Sequence, residues 1–236
     1  MDAPLRHIDD GHGLWRYAGL IEVRCPRCAR PGQVRAPRED GQREARFACA
    51  GCGLHAATAS CCGLHSAQGD WYGPVRVYGR RPCGYCGHQW LSVNLVFEGR
   101  PAHTPPRVDA RCPSCARESA VDVQAHPHRG HEPRDPHLGL PLRLLEPTRC
   151  GLLWAYNAQH LDELCRYVAA SQRERMRSAG NASMISRLPA WMKLARHRTL
   201  MLKALERMSA RLDGDDRGPR ADGARDNGSG ARRRRG

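Results

Sequence analysis

The chain has 236 residues, 40% of them apolar, with only 2 Phe, against 24 Gly and 17 Pro. No apolar run approaches the roughly 18 residues of a membrane span, so there is no candidate for a spanning helix. A segment so poor in large apolar side chains does not hold itself by core burial alone, and a formal net charge of +14 favours polyanionic partners.

The first twenty residues carry Asp2, Arg6, Asp9, Asp10 and Arg16, and no apolar stretch of the kind a signal peptide needs. The expected compartment is therefore a reducing cytoplasm, where paired cysteines point to metal or redox chemistry before disulfides. Residues 12–17 read as an ordered lead-in, with Trp15 and Tyr17 packing on the element that follows. Leu20 to Arg24 alternates as a short strand and runs into Cys25-Pro26-Arg27-Cys28. A polar hairpin follows, and Glu44 to Ala48 leads into Cys49-Ala50-Gly51-Cys52-Gly53. Two Cys-x-x-Cys pairs at this separation supply four thiolates for one tetrahedral ion. A redox pair is disfavoured because the pairs come in twos and no βαβ context surrounds them. The echo Cys61-Cys62-Gly63-Leu64-His65 reads as a loop with surplus thiols, since successive side chains point apart.

Trp71 to Tyr78 alternates like a strand. Cys83-Gly84-Tyr85-Cys86-Gly87 forms a second knuckle, and Leu91, Val93, Leu95 and Phe97 then mark the apolar side of a half-buried strand. The chain returns through Arg107 to Arg111 to Cys112-Pro113-Ser114-Cys115, and Ala120 to Gln124 is a closing strand. His88 lies beside this knuckle but is not needed, because four thiols complete a tetrahedron.

From His126 to Pro141 the proline density denies regular structure, and the four histidines there read as part of a linker or wrapping loop. Residues 142–156 form an apolar strand or hairpin. Cys150 and Cys165 are expected to be core residues. Residues 157–177 predict a helix capped by Asn157, with Leu161, Leu164, Cys165, Val168 and Ala169 along one stripe. A short helix holding Trp191, Met192, Leu194 and Ala195 and another over 199–212, with Leu202, Leu205, Met208 and Leu212 on one side, are separated by a break near His197. The tail from Asp213 to Arg235 is expected to be disordered.

The two cysteine quartets, Cys25, Cys28, Cys49, Cys52 and Cys83, Cys86, Cys112, Cys115, resemble the zinc ribbons of the transcription-factor-IIB type over about residues 20–124. The C-terminal part, with Leu153 to Asn157, His160-Leu161 and Arg187 to Lys193, is similar to bacterial proteins that carry such ribbons. The resemblance implies two structural Zn2+ ions and no activity. The fold class expected is a small metal-stabilised α+β chain: two tandem four-cysteine zinc ribbons of antiparallel β-structure, then a helical segment. Its divisions are a first ribbon with lead-in and loop over 1–70, a second over 71–125, a linker and apolar hairpin over 126–156, a basic helical segment over 157–212 and an Arg-rich tail over 213–236.

From Arg166 to Leu212 there are 11 Lys and Arg against Glu174 and Glu206. The expected nucleic-acid contacts are Arg173, Arg175, Arg177, Arg187, Lys193, Arg196, Arg198 and Lys203, with a protein-interaction adapter as the alternative. No phosphate loop, carboxylate pair or Ser-His-Asp arrangement is present. The expectation is a binding protein with no small-molecule substrate.

Overall fold

The computed structural model describes residues 6–36, 44–58, 70–98, 104–130, 133–175 and 183–214. The Cys61, Cys62 and His65 echo, Arg177 and the tail beyond Gly214 lie outside the described residues.

After strand β1 (Arg6–Asp9) and a single 3-10 turn, Leu14–Tyr17, the first ribbon is an antiparallel sheet. Its strands are β2 (Leu20–Arg24), β3 (Pro31–Arg35), β4 (Arg46–Ala48) and β5 (His55–Ala57) in that order. The register sets Ile21 opposite Val34, Val34 opposite Phe47 and Phe47 opposite Ala56. All four are buried, so one apolar row crosses the whole sheet.

The second ribbon has β6 (Val75–Arg81), β7 (Leu91–Phe97), β8 (Arg107–Arg111), β9 (Glu118–Asp122) and β10 (Gln124–Pro127). They make a three-stranded sheet, β10-β6-β7, and the hairpin β8-β9. Alternation on β7 is borne out at Leu91 and Val93, which are buried, but Leu95 is 45% exposed because the small core ends there. That core is separate from the rest: Val77, Leu91, Val93 and Val121 around Cys83 and Cys112.

The hairpin β11 (Leu144–Thr148) and β12 (Gly151–Ala155) forms as expected. Then come α1 (Ala158–Ala169), β13 (Gln172–Arg175), α2 (Ala190–Lys193) and α3 (Arg198–Asp213). The helix expected over 157–177 starts on its predicted cap, where the Asn157 side chain accepts the His160 N–H at 2.9 Å. It ends early. Arg173 folds back to donate to the carbonyls of Tyr167 and Val168, and Arg198 donates to that of Ala170. The guanidiniums thus satisfy the last carbonyls, where positive charge also suits the helix dipole. The freed backbone becomes β13, which pairs in parallel with β1 across the length of the chain. On α3 the buried stripe is Met201, Ala204, Leu205 and Met208, while Leu202 and Leu212 sit at its flanks. The break is where expected, with Leu194 extended before α3.

Residues 133–142 are more than a linker. Leu138, Leu140 and Leu142 are 0–1% exposed and join one core that runs from Tyr17 of the lead-in through the first ribbon to Met208. Asp135 organises this stretch, its carboxylate accepting the N–H groups of His137, Leu138 and Leu140. Burial pushes its pKa up against those three hydrogen bonds. The outer edge of β2 is sewn to this stretch and to the end of the hairpin: Arg24 N–H donates to Pro141 O at 2.9 Å and Glu22 N–H to Tyr156 O, just past β12, at 2.7 Å. The first ribbon is therefore annexed by the helical core, and the second is attached beside it.

Glu146, buried on β11, takes Arg207 at 2.6 Å and also Arg211, both from α3. Removing this carboxylate leaves two guanidiniums without their partner, Arg211 more buried than Arg207. Because Arg207 is half exposed, Glu146→Ala is expected to lower unfolding free energy by about 2 kcal/mol, read from urea melts.

Candidate metal centres

Each knuckle is built the same way. The first cysteine donates its N–H to the residue five positions on: Cys25 to Arg30, Cys49 to Leu54, Cys83 to His88 and Cys112 to Arg117, at 2.8–2.9 Å. The residue after the second cysteine must turn left-handed to close that loop. Ala29 (φ 58), Gly53 (φ 68), Gly87 (φ 68) and Ala116 (φ 57) do so. Two of these four positions are alanine, which accepts a strain of about 1 kcal/mol there.

In each quartet the sulfurs lie within 4.8 Å of one another. Cys25 to Cys52 and Cys28 to Cys49 are 3.5 Å apart, and Cys83 to Cys115 and Cys86 to Cys112 are 3.7 Å apart. An ion with four sulfurs at about 2.3 Å places them roughly 3.8 Å apart, so both clusters fit a tetrahedral metal. Among the described residues these are the groups with metal-binding composition. All eight cysteines expected as ligands are brought together. His88 instead shares a hydrogen bond with Ser114, at 3.0 Å. In the His126 to His137 tract, the His137 ring bonds Ala18 O at 2.9 Å and Asp135 is spent on backbone amides.

The thiols are unequal. The N–H groups of Cys52 and, less strongly, Gly51 pull the Cys49 thiol down to about 6 against the effect of burial. Those of Tyr85 and Cys86 do the same for Cys83, also to about 6. At Cys52 the Leu54 N–H pulls down, but burial and the three neighbouring sulfurs outweigh it and carry the thiol up to about 12. Cys86 is likewise carried to about 12 against its His88 N–H. Four sulfurs this close do not all ionise without a cation between them. Metal binding therefore displaces protons from each cluster.

The basic residues expected to face a ligand divide. Arg173 gives its head to three carbonyls, those of Tyr167, Val168 and Lys193, and lies over the Tyr167 ring. Lys193 donates to Ser186 O and Arg198 to Ala170 O. Arg187 borders a small apolar pocket with Leu188 and Met192. Arg175 lies on β13, and Arg196 and Lys203 are exposed. Much of the helical charge therefore serves the fold.

Reading along the chain also missed an aromatic cage around His160. Tyr17 stacks on it at 4.9 Å, Trp154 and Tyr156 meet it edge-on, and its Nδ1 accepts the Tyr156 N–H. Tyr17 is thus anchored as expected in the core it shares with the first ribbon, and it reaches α1 as well. Trp15 remains 53% exposed, edge-on to His137. Burial pushes His160 down to about 4. Its unfolded value is about 6.5, so the neutral ring contributes stability above that pH, and the contribution is lost as pH falls toward 4. The loss expected is about 3 kcal/mol. Urea melts at several pH values should show a shallower acid slope for His160→Asn than for the wild type.

No family model, curated protein or solved structure matches this chain. Fold and sites together define a small α+β protein with two zinc-ribbon-like centres of four cysteines each.

Proposed function

We propose that both clusters hold structural Zn2+, in ribbons of the transcription-factor-IIB type, and that the protein binds nucleic acid in a reducing, bacterial cytoplasm. The observation that carries this reading is the pairing of two closed four-sulfur sites with a strongly basic chain. An ion held by four thiolates has no open position for water or substrate, so the metal is given to the fold and the protein is a binder rather than an enzyme. Positive charge left over from internal bonding, as at Arg196, Lys203 and, on the second ribbon, Arg76 and Arg80, then supplies phosphate contacts.

Binding by the zinc-loaded full chain is measured by gel shift over a salt series. Affinity is expected to fall by roughly 0.7–0.9 in log–log slope for each phosphate neutralised. Affinity indifferent to salt, or none, overturns the reading. The adapter alternative draws support from the exposed Leu152 and Leu194, and a stable protein partner without nucleic-acid affinity would select it.

A further inference from the structure

The three-stranded sheet β10-β6-β7 buries one side on the second ribbon's core and turns the other outward. Even-numbered residues of β6 make that outer side: Arg76, Tyr78 and Arg80 are all exposed, with Tyr78 at 43%. The register places Val96, Asn94 and Ser92 opposite them on β7, and His126 and Gln124 opposite Arg76 and Tyr78 on β10. Trp90 enters β7 on the same alternation, 46% exposed, with the Arg80 guanidinium 4.7 Å from its ring centre.

Among the described residues this register holds no carboxylate; Glu98 lies just past the end of β7. Arg76 is in no ion pair among the described residues. Residues two apart on a strand stand about 7 Å from each other. Arg76 and Arg80, four apart on β6, therefore stand roughly 13 Å from each other, about two phosphate steps of an extended single strand. An outward sheet face with a ring between cations suits unpaired bases, because stacking needs only an open ring face. A duplex hides those faces, and an acidic peptide has none.

We infer that the outer face of β10-β6-β7 binds single-stranded nucleic acid, with Tyr78 and Trp90 stacking on bases and Arg76 and Arg80 holding phosphates. This rests on the reading that the protein binds nucleic acid, and it moves the contact from the helical segment to the second ribbon.

The test uses the zinc-loaded full chain and a labelled oligothymidylate of roughly twelve nucleotides, within the span of one small binding fold. A duplex and a polyglutamate peptide of the same length serve as comparisons. The single strand is expected to bind about tenfold more tightly than either, and Tyr78→Ala to weaken it about tenfold. Arg76→Ala and Arg80→Ala should each lower the log–log salt slope by about 0.7, with Arg149→Ala, an exposed arginine on the β11-β12 turn, near wild type. Ser92→Glu, which adds a charge and removes nothing from the core, should weaken binding too. Zinc content and melting temperature confirm that each variant is folded. If nucleic acid binds but the face variants match wild type, or if duplex or polyglutamate binds equally well, this inference is overturned and the broader reading stands. If no nucleic acid binds, both fall.

Discussion

With the proposed ions removed by chelation, the second ribbon is expected to unfold and the helical core to stay standing. The two ribbons share a knuckle design but differ in what else holds them. Around the second site the fully buried aliphatic side chains are Val77, Leu91, Val93 and Val121, and two of the cluster's six buried residues are cysteines that lose their purpose without an ion. An apolar core in so small a unit supplies only a few kcal/mol, whereas a structural zinc contributes roughly 10–16 kcal/mol in isolated finger peptides. The first ribbon loses an ion of the same kind, but Ile21, Val23, Val34 and Phe47 remain part of a core that reaches Met208. Its β2 edge also keeps its bonds to Pro141 and Tyr156.

Hydrogen exchange before and after chelation separates the two. Amides of β6, β7 and β9 should lose protection by several orders of magnitude, while β2, β11 and α3 keep most of theirs. Cys112→Ser should reproduce the effect on the second ribbon alone. Protection of β6 and β7 that survives with no bound metal would sink the argument.

That difference was only half legible in the sequence. The knuckles were readable because their chemistry is local: two thiols three apart and a residue able to turn left-handed. The hairpin 144–155 and the Asn157 cap were readable for the same reason. What escaped depends on partners far away in the chain. The end of α1 is fixed by Arg173 and Arg198 reaching back to its carbonyls, and in sequence those arginines look like any solvated basic face. The pairing of β1 with β13 spans the chain and leaves no local signal. In 133–142 the prolines outvoted a real signal, the alternation of Leu138, Leu140 and Leu142. The same period-two reading, applied to Arg76, Tyr78 and Arg80, would have marked the outward face of the second ribbon.

The joint between the two bodies is a tight backbone contact, and Gly139→Ala should break it. Gly139 sits at φ +71, and a Cβ there would lie 2.5 Å from Gly73 N, 2.9 Å from Gly73 Cα and 3.0 Å from the Trp71 ring. Two of those three neighbours are main chain, which has no rotamer to yield. Beside them Tyr72 N–H donates to Leu138 O at 2.7 Å, the bond that docks the second ribbon's entry onto the core.

The expected cost is about 1 kcal/mol for the left-handed conformation and a further 1–3 for the clash. Gly53→Ala isolates the first part. It has nearly the same φ, nothing within 4 Å of the new methyl, and alanine already occupies the equivalent turn at positions 29 and 116. It should lose no more than about 1 kcal/mol and keep its metal. Gly139→Ala should also keep both ions, because neither site is touched, yet melt in two separated steps and become open to protease near residues 71–74. A single cooperative melt at the wild-type temperature would mean that the ribbon and the core do not rely on this contact to stay together.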